Sequence, residues 1–237
     1  VIEQTHASRE REVDAISRSR LRSYDGLFLY AAELRDDDAM LLRGEFPIVV
    51  FGEHAYSGPI DHVEMANADG ARLATAHLIE RGCRRVGILG GRIGDPDDIG
   101  VATLRTRGYR EALEAAGIAF DPALVRDAEY SYEGGSAQAA ALLAEVDDLD
   151  GLFCATDVIA IGAMRALHEA GRRVPQDVRV VGFDDVSLAA FTTPSLTSIA
   201  PGHDEMADAA MEMVLGRISG ERAADDYRSF TGPARLV

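Results

Sequence analysis

Apolar and polar positions divide the chain into two alternating textures. Short, nearly unbroken apolar runs at residues 26–30, 47–51, 85–89, 151–154 and 178–183 read as strands covered on both faces, as in a parallel sheet between helices. Residues 1–4, 62–65 and 124–127 read as shorter strands. Helical spacing predicts helices over residues 8–20, 36–42, 71–81, 102–116, 133–143 and 157–170, with residues 67–70 leading into the third. A further helix over 203–218 carries Met206, Ala210, Met213 and Val214 on one stripe. Gly82, Gly117, Gly171 and Gly220 stand where helices stop, and Asp157 stands where a side chain can cap the helix bearing Ile161, Met164 and Leu167. This alternation forces parallel pairing with right-handed crossovers, so the expected fold class is α/β with doubly wound parallel sheets.

One stretch narrows the function. Val180-Val-Gly-Phe-Asp-Asp-Val186 ends a buried strand on two carboxylates, and Thr193-Pro-Ser-Leu-Thr197 re-enters a second strand. In such sheets ligands bind beyond the carboxyl ends of the strands, so Asp184 and Asp185 point to a site for a polar small molecule. The βα units fall into two groups, before and after about Met65, with no Pro/Ser-rich linker between them. The expectation is two lobes joined by several crossover strands: residues 1–65 with 203–230, and residues 66–202 with 231–237.

Composition changes the picture mainly by exclusion. A chain of 237 residues with 47% hydrophobic and 27% charged content is an ordinary globular protein. Its net charge of −16 repels phosphate backbones, so this segment alone is a poor nucleic-acid binder. The uncharged apolar runs are too short to span a bilayer, and no membrane partner is expected. No hydrophobic leader opens the chain, from which a cytoplasmic location is expected. Cys83 and Cys154 form no CxxC pair, so neither a disulfide framework nor a cysteine zinc site is expected. All 24 basic residues are arginine, which removes Schiff-base chemistry, a phosphate-loop lysine and a lysine base.

Other candidate motifs read plainly. Gly90-Gly-Arg-Ile-Gly-Asp-Pro-Asp-Asp98 is not GxGxxG, and its three aspartates repel a pyrophosphate; it reads as a flexible loop near the cleft. Asp61-His62 with Glu64 offers too few ligands for a metal and reads as a surface strand. The charge-rich stretch 8–22 reads as a solvated helix face. There is no GxSxG elbow, and neither a catalytic residue, a metal nor a cofactor is expected.

Taken in order, several motifs resemble the effector-binding domain of the lactose-repressor (LacI/GalR) family. They are Tyr24-Asp-Gly-Leu-Phe-Leu29, Phe46-Pro-Ile-Val-Val50, His77-Leu-Ile-Glu-Arg-Gly82 and Arg85-Val-Gly-Ile88. Arg105-Thr-Arg-Gly-Tyr109 with Ala112-Leu113, Asp157 with Ala160-Ile-Gly-Ala163, Val174-Pro175 and the stretch ending at Val186 complete the set. The resemblance covers essentially the whole chain. It implies a periplasmic-binding-protein-like fold of type I, with a small polar effector, a sugar or related metabolite, in the cleft between lobes. It also implies a side-by-side homodimer and contact with operator DNA through a basic helix-turn-helix headpiece that is not in this sequence. The family places that headpiece, a first strand and a first helix ahead of the position of Val1, and carries its last strand past that of Val237. The absent first strand would be central, so without it two strand edges stand open.

The resemblance assigns site residues one by one. Arg105 falls where the family places an arginine bonding sugar hydroxyls or a ligand carboxylate; a guanidinium offers paired donors and never deprotonates. A solvated helix-start arginine is the plainer reading, and Arg107 faces solvent. Asp184 matches a ligand-contacting aspartate able to accept two hydroxyl bonds, while Asp185 fits a capping or lobe-joining role. Glu53 aligns with an acidic sugar contact of the first lobe, or is a loop carboxylate in water. Tyr130 falls where an aromatic stacks on sugar C–H surfaces, or is a core tyrosine. Met65 and Asp69 line the first crossover. Thr156 replaces the family's usual asparagine, and Ala66-Asn67 its Asp-Asn; both changes imply an effector other than the commonest hexoses, or a weakened pocket. The leading expectation is the ligand-sensing domain of a transcription regulator that binds without transforming. A periplasmic sugar-binding protein of a transporter is the alternative, and an enzyme using the cleft carboxylates the third.

Overall fold

Helices and strands alternate along almost the whole chain in the computed structural model, which describes residues 1–6, 8–21, 24–31, 33–53, 59–95, 98 and 100–237. In chain order the elements are α1 (Arg9–Leu21), β1 (Leu27–Tyr30), a 3-10 helix (Asp36–Leu42), β2 (Ile48–Phe51), β3 (Asp61–Met65), α2 (Asn67–Glu80) and β4 (Val86–Leu89). There follow α3 (Val101–Ala115), β5 (Val125–Arg126), α4 (Tyr132–Glu145), β6 (Gly151–Cys154), α5 (Asp157–Glu169) and β7 (Arg179–Val181). The chain closes with β8 (Ile199–Ala200), α6 (His203–Ile218), β9 (Ser229–Gly232) and β10 (Arg235–Leu236). Contacts divide it into two units, Val1–Met65 with Gly202–Pro233, and Ala66–Pro201 with Ala234–Val237.

The first unit is built on a parallel sheet ordered β1-β2-β3-β9. Successive residues of β2 point to opposite faces, and both faces are covered. Ile48 and Val50 pack with Ile16, Leu29, Leu34 and Leu42, while Val49 packs with Val63 and with Met206, Ala210, Met213 and Val214 of α6. That double coverage is why the strand reads as a continuous apolar run. The strand expected at residues 1–4 does not form: Val1 and Ile2 are almost wholly exposed, and β1 ladders with β2 alone among the described strands. A strand persists only where a neighbour takes up its backbone groups. The expected solvated face of α1 is also corrected at Glu12. Its carboxylate is buried and accepts the N–H groups of Glu33 at 3.1 Å and Leu34 at 3.0 Å. Residue 22 of that stretch lies outside the described residues.

Asp61, His62 and Glu64 do not form the expected surface strand, because β3 lies inside the sheet between β2 and β9. Asp61 is fully buried and takes Arg217 Nη1 at 3.0 Å, Arg222 Nη2 at 3.0 Å and the backbone N–H of Arg228 at 3.0 Å. Arg217 also donates to the carbonyls of Gly44 and Ala224, and Arg222 to that of Met213. One carboxylate thus ties the start of β3 to the end of α6 and the turn after it. Two buried guanidinium groups share this carboxylate, so its removal takes the described counter-charge from Arg217 and leaves Arg222 with Asp226.

The second unit carries a parallel sheet ordered β5-β4-β6-β7, with β8 and β10 as an antiparallel pair. Leu152 and Cys154 face a core with Leu142, Ile159, Ala163 and Leu167, and the helices α2 and α3 pack against each other. The helix α2 starts four residues earlier than the sequence suggests, and Arg105 donates to the Asn67 side chain in its first turn. β7 stops at Val181, short of the expected 183. A Cβ at Gly108 would lie 2.0 Å from the Ala68 carbonyl oxygen, so α3 touches the backbone of α2 at this point. That close approach sets Arg105, one turn earlier, beside Asn67. No described helix is long and apolar enough to cross a membrane.

Asp61→Ala is expected to lower unfolding stability by about 3–5 kcal/mol, the cost of removing one partner from a buried ion pair. Urea denaturation followed by circular dichroism measures it, and a change below about 1 kcal/mol would refute the role given to this carboxylate. Gly108→Ala is expected to cost about 1–3 kcal/mol in the same assay, because α2 and α3 must separate to admit the methyl group.

Candidate functional site

The candidate site is assembled in the second unit around a buried guanidinium. Arg105 on α3 is 3% exposed. Its Nε donates to Asn67 Oδ1 at 2.8 Å, and Nη1 donates to the Ala155 carbonyl at the end of β6. Its guanidinium carbon stands 3.6 Å from the centre of the Phe183 ring. A desolvated cation over an aromatic face contributes roughly 2 kcal/mol or more. Nη2 lies 3.8 Å from Asp184 Oδ1, an ionic separation beyond direct hydrogen-bond length. The plainer reading of Arg105 as a solvated helix-start residue is therefore set aside.

Asp184 owes its position to an unusual backbone. Asp184 and Asp185 both have left-handed φ, +106° and +52°, which costs about 1–3 kcal/mol per residue unless the surroundings enforce it. Three successive N–H groups are captured there. Asp184 N donates to the Ile199 carbonyl at 2.9 Å, Asp185 N to Ser198 Oγ at 3.1 Å and Val186 N to Asp157 Oδ2 at 2.8 Å. Ser198 Oγ in turn donates to Asp157 Oδ1 at 2.7 Å. Gly182 admits this carboxylate, since a Cβ there would lie 2.0 Å from Asp157 Oδ1.

Asp157 is thus not the helix cap expected from the sequence. Thr156 caps α5, its Oγ1 accepting from Ile159 N at 3.2 Å, while Asp157 is turned inward and fully buried. Burial pushes the Asp157 carboxyl above its ordinary pKa, against the bonds from Ser198 and Val186 that favour the charged form.

Tyr130 precedes the cap of α4, and its ring lies over Gly90. It is 48% exposed, so it is no core tyrosine, and the buried part of the ring holds its phenol above the usual pKa. Arg105 and Arg92 act on that phenol in one sense, Asp127 and Asp184 in the other. Asp69 sits in the first turn of α2, largely in solvent and paired with Arg72 at 3.0 Å. Met65 and Glu53 belong to the first unit. Met65 ends β3 and packs beside Val63 and Met206, and Glu53 follows β2. In the run from Gly90 to Asp98, Pro96 and Asp97 lie outside the described residues; Asp98 accepts from Gly100 N at 2.8 Å and Thr103 Oγ1 at 2.6 Å.

Among the residues singled out in the sequence, Arg105, Asp184, Tyr130 and Thr156 fall in one region of the second unit. Phe183, Asp157, Ser198 and the Ala155 carbonyl were not assigned there, and Asn67 entered only through the Ala66-Asn67 departure from the family pattern. Phe183 had a signal, standing directly before Asp184 at the end of an apolar run.

Because burial raises the Asp157 pKa, the folded state takes up this proton at higher pH than the unfolded chain does. Stability from this group therefore rises as pH falls from neutral through the raised pKa, and levels off below the ordinary carboxylate value of 3.8. Asp157→Asn lacks this slope. Denaturant titrations of both proteins across that range are expected to show the wild type gaining on the variant as acidity increases; a constant difference would refute it.

The family model for a periplasmic binding protein-like domain matches residues 75–237. The chain is 35% identical to the HTH-type transcriptional regulator CelR of Thermobifida fusca, over 94% of this chain and 64% of CelR. It is 32% identical to the ribose operon repressor of Haemophilus influenzae, over 88% of this chain and 61% of that repressor. The chain thus spans less than two thirds of the length of these curated relatives. Among solved structures, a LacI-family transcriptional regulator from Sanguibacter keddieii is 41% identical with a TM-score of 0.85, covering 100% of this chain and 84% of that one. A CelR–cellobiose complex is 32% identical with a TM-score of 0.81, covering 97% and 69%. These relatives are transcription regulators, which removes the transporter reading. With parallel sheets between helices in both units and these relatives across its length, the chain belongs to the LacI/GalR family, as an effector-binding domain of periplasmic-binding-protein-like fold.

Proposed function

We propose that the chain senses a neutral, polyhydroxylated effector of the carbohydrate class for a bacterial transcription regulator, and that Arg105, Asp184, Tyr130 and Thr156 contact it. The observation that carries this reading is the guanidinium and carboxylate standing 3.8 Å apart at Arg105 and Asp184. Such a pair offers donors and acceptors side by side, which suits adjacent hydroxyl groups. An anion is repelled by Asp184 and a cation by Arg105. The half-exposed ring of Tyr130 supplies an apolar face for sugar C–H groups. CelR is a relative described in complex with cellobiose, and the ribose repressors are named for a pentose, which supports the same class.

Asp69, Glu53 and Met65 enter as effector contacts through the family resemblance alone, as does the homodimer; a cytoplasmic location fits relatives that are transcription regulators. Operator DNA is bound by a part of the regulator outside this chain, in keeping with the net charge of −16. The groups at the site bind and do not transform: a permanently protonated guanidinium, a phenol, a hydroxyl and one carboxylate. Effector binding alters operator affinity only in so far as it favours one conformational state of the regulator over another.

Calorimetric titration with neutral pentoses, hexoses and disaccharides is expected to yield saturable heat from at least one. Asp184→Asn keeps the side-chain shape and is expected to weaken that binding by about tenfold, the loss of a charge-assisted bond. Saturable heat from sugar acids and amino sugars alone, or from no carbohydrate, would refute the assignment.

A further inference from the structure

A second recess opens in the same unit, a cavity of about 340 Å³ whose lining includes Arg92, Asp98, Thr103, Asp127, Ala128 and Tyr130. It lies at the low end of the roughly 300–1,000 Å³ of small-molecule sites, a size that suits one ring of a saccharide. Its rim repeats the chemistry of Arg105 and Asp184. Arg92 Nε and Nη2 donate to Asp127 Oδ2 at 3.1 and 2.8 Å, yet the two side chains remain 60% and 58% exposed. An exposed pair of this kind contributes little to folding, so stability gives no account of its placement at the mouth of a cavity. Asp98, in the same lining, accepts from Thr103 Oγ1 and from the N–H of Gly100 at the start of α3.

Tyr130 belongs to both places. It lines this recess, and beside Gly90 its ring stands next to Ala155, whose carbonyl accepts from Arg105. An aromatic ring with a guanidinium–carboxylate pair in reach on each count matches a linked pair of sugar rings, each bringing adjacent hydroxyls and an apolar face.

We infer that the Arg92–Asp127 recess is a second carbohydrate subsite, and that the effector is a di- or oligosaccharide with consecutive rings at Arg105–Asp184 and Arg92–Asp127. This rests on the reading of Arg105 and Asp184 as carbohydrate contacts.

The test is calorimetry on the intact chain with matched pairs: glucose with cellobiose, glucose with maltose, galactose with lactose, and xylose with xylobiose. At least one disaccharide is expected to bind about tenfold or more tightly than its monosaccharide, an extra 1.4 kcal/mol or so. That ratio is expected to collapse towards one in Asp127→Asn and Arg92→Gln, and to persist in Arg165→Gln on the exposed face of α5. Monosaccharide binding with no gain for any disaccharide, or a ratio untouched by Asp127→Asn and Arg92→Gln, overturns the second subsite and leaves the first standing. No binding of any sugar overturns both.

Discussion

The second unit depends on burying a charge that cannot be neutralised. Arg105 stays protonated at any physiological pH, and an uncompensated buried cation costs several kcal/mol. The fold answers from four directions: the Asn67 amide, the Ala155 carbonyl, the Phe183 ring and the Asp184 carboxylate. They come from three separate stretches of the chain, Phe183 and Asp184 being neighbours, so none of the three can move without exposing the charge to a worse environment. The bare backbone contact at Gly108, the first turn of α2 and the loop after β7 are linked through this one side chain. The same four groups fix the guanidinium plane, which on the proposed reading of Arg105 as an effector contact reduces the ordering cost of binding.

The first unit solves a related problem differently. Asp61 is the buried charge there, and two arginines and a backbone N–H surround it. An aromatic ring takes part here through one of the arginines, the Arg217 guanidinium carbon standing 5.0 Å from the centre of the Tyr227 ring. The arrangement ties an inner strand to the far end of α6, and its contribution is to fix how helix and sheet meet.

Much of the architecture was legible in the pattern of apolar positions. β6 and α6 occupy the very residues the pattern predicts, and most other boundaries shift by one or two, because strand and helix periods are local properties. What the pattern misplaced depends on partners far away in sequence. Residues 1–4 have strand composition but no neighbour to ladder with. Glu12 lies on a polar helix yet turns inward to cap backbone groups 21 and 22 residues later. Asp61 looks like a surface carboxylate until Arg222, 161 positions on, is brought to it. Arg105 and Asp184 could be named from family motifs, but their 3.8 Å separation and the ring beneath the guanidinium could not. The exchange of capping duty between Thr156 and Asp157 was likewise hidden, since it turns on Ser198, 41 residues downstream.

If Asp184 contacts the effector as proposed, the paired left-handed aspartates after β7 set conformational ease against recognition. Glycine at position 184 would relax the main chain at once, as this backbone region is free to it, but would erase the carboxylate. Selection for heat tolerance alone would drift towards that exchange and produce a sturdier, blind sensor. On that reading, aspartate at this position holds responsiveness at the expense of robustness, a tension common where function sits on a forced conformation.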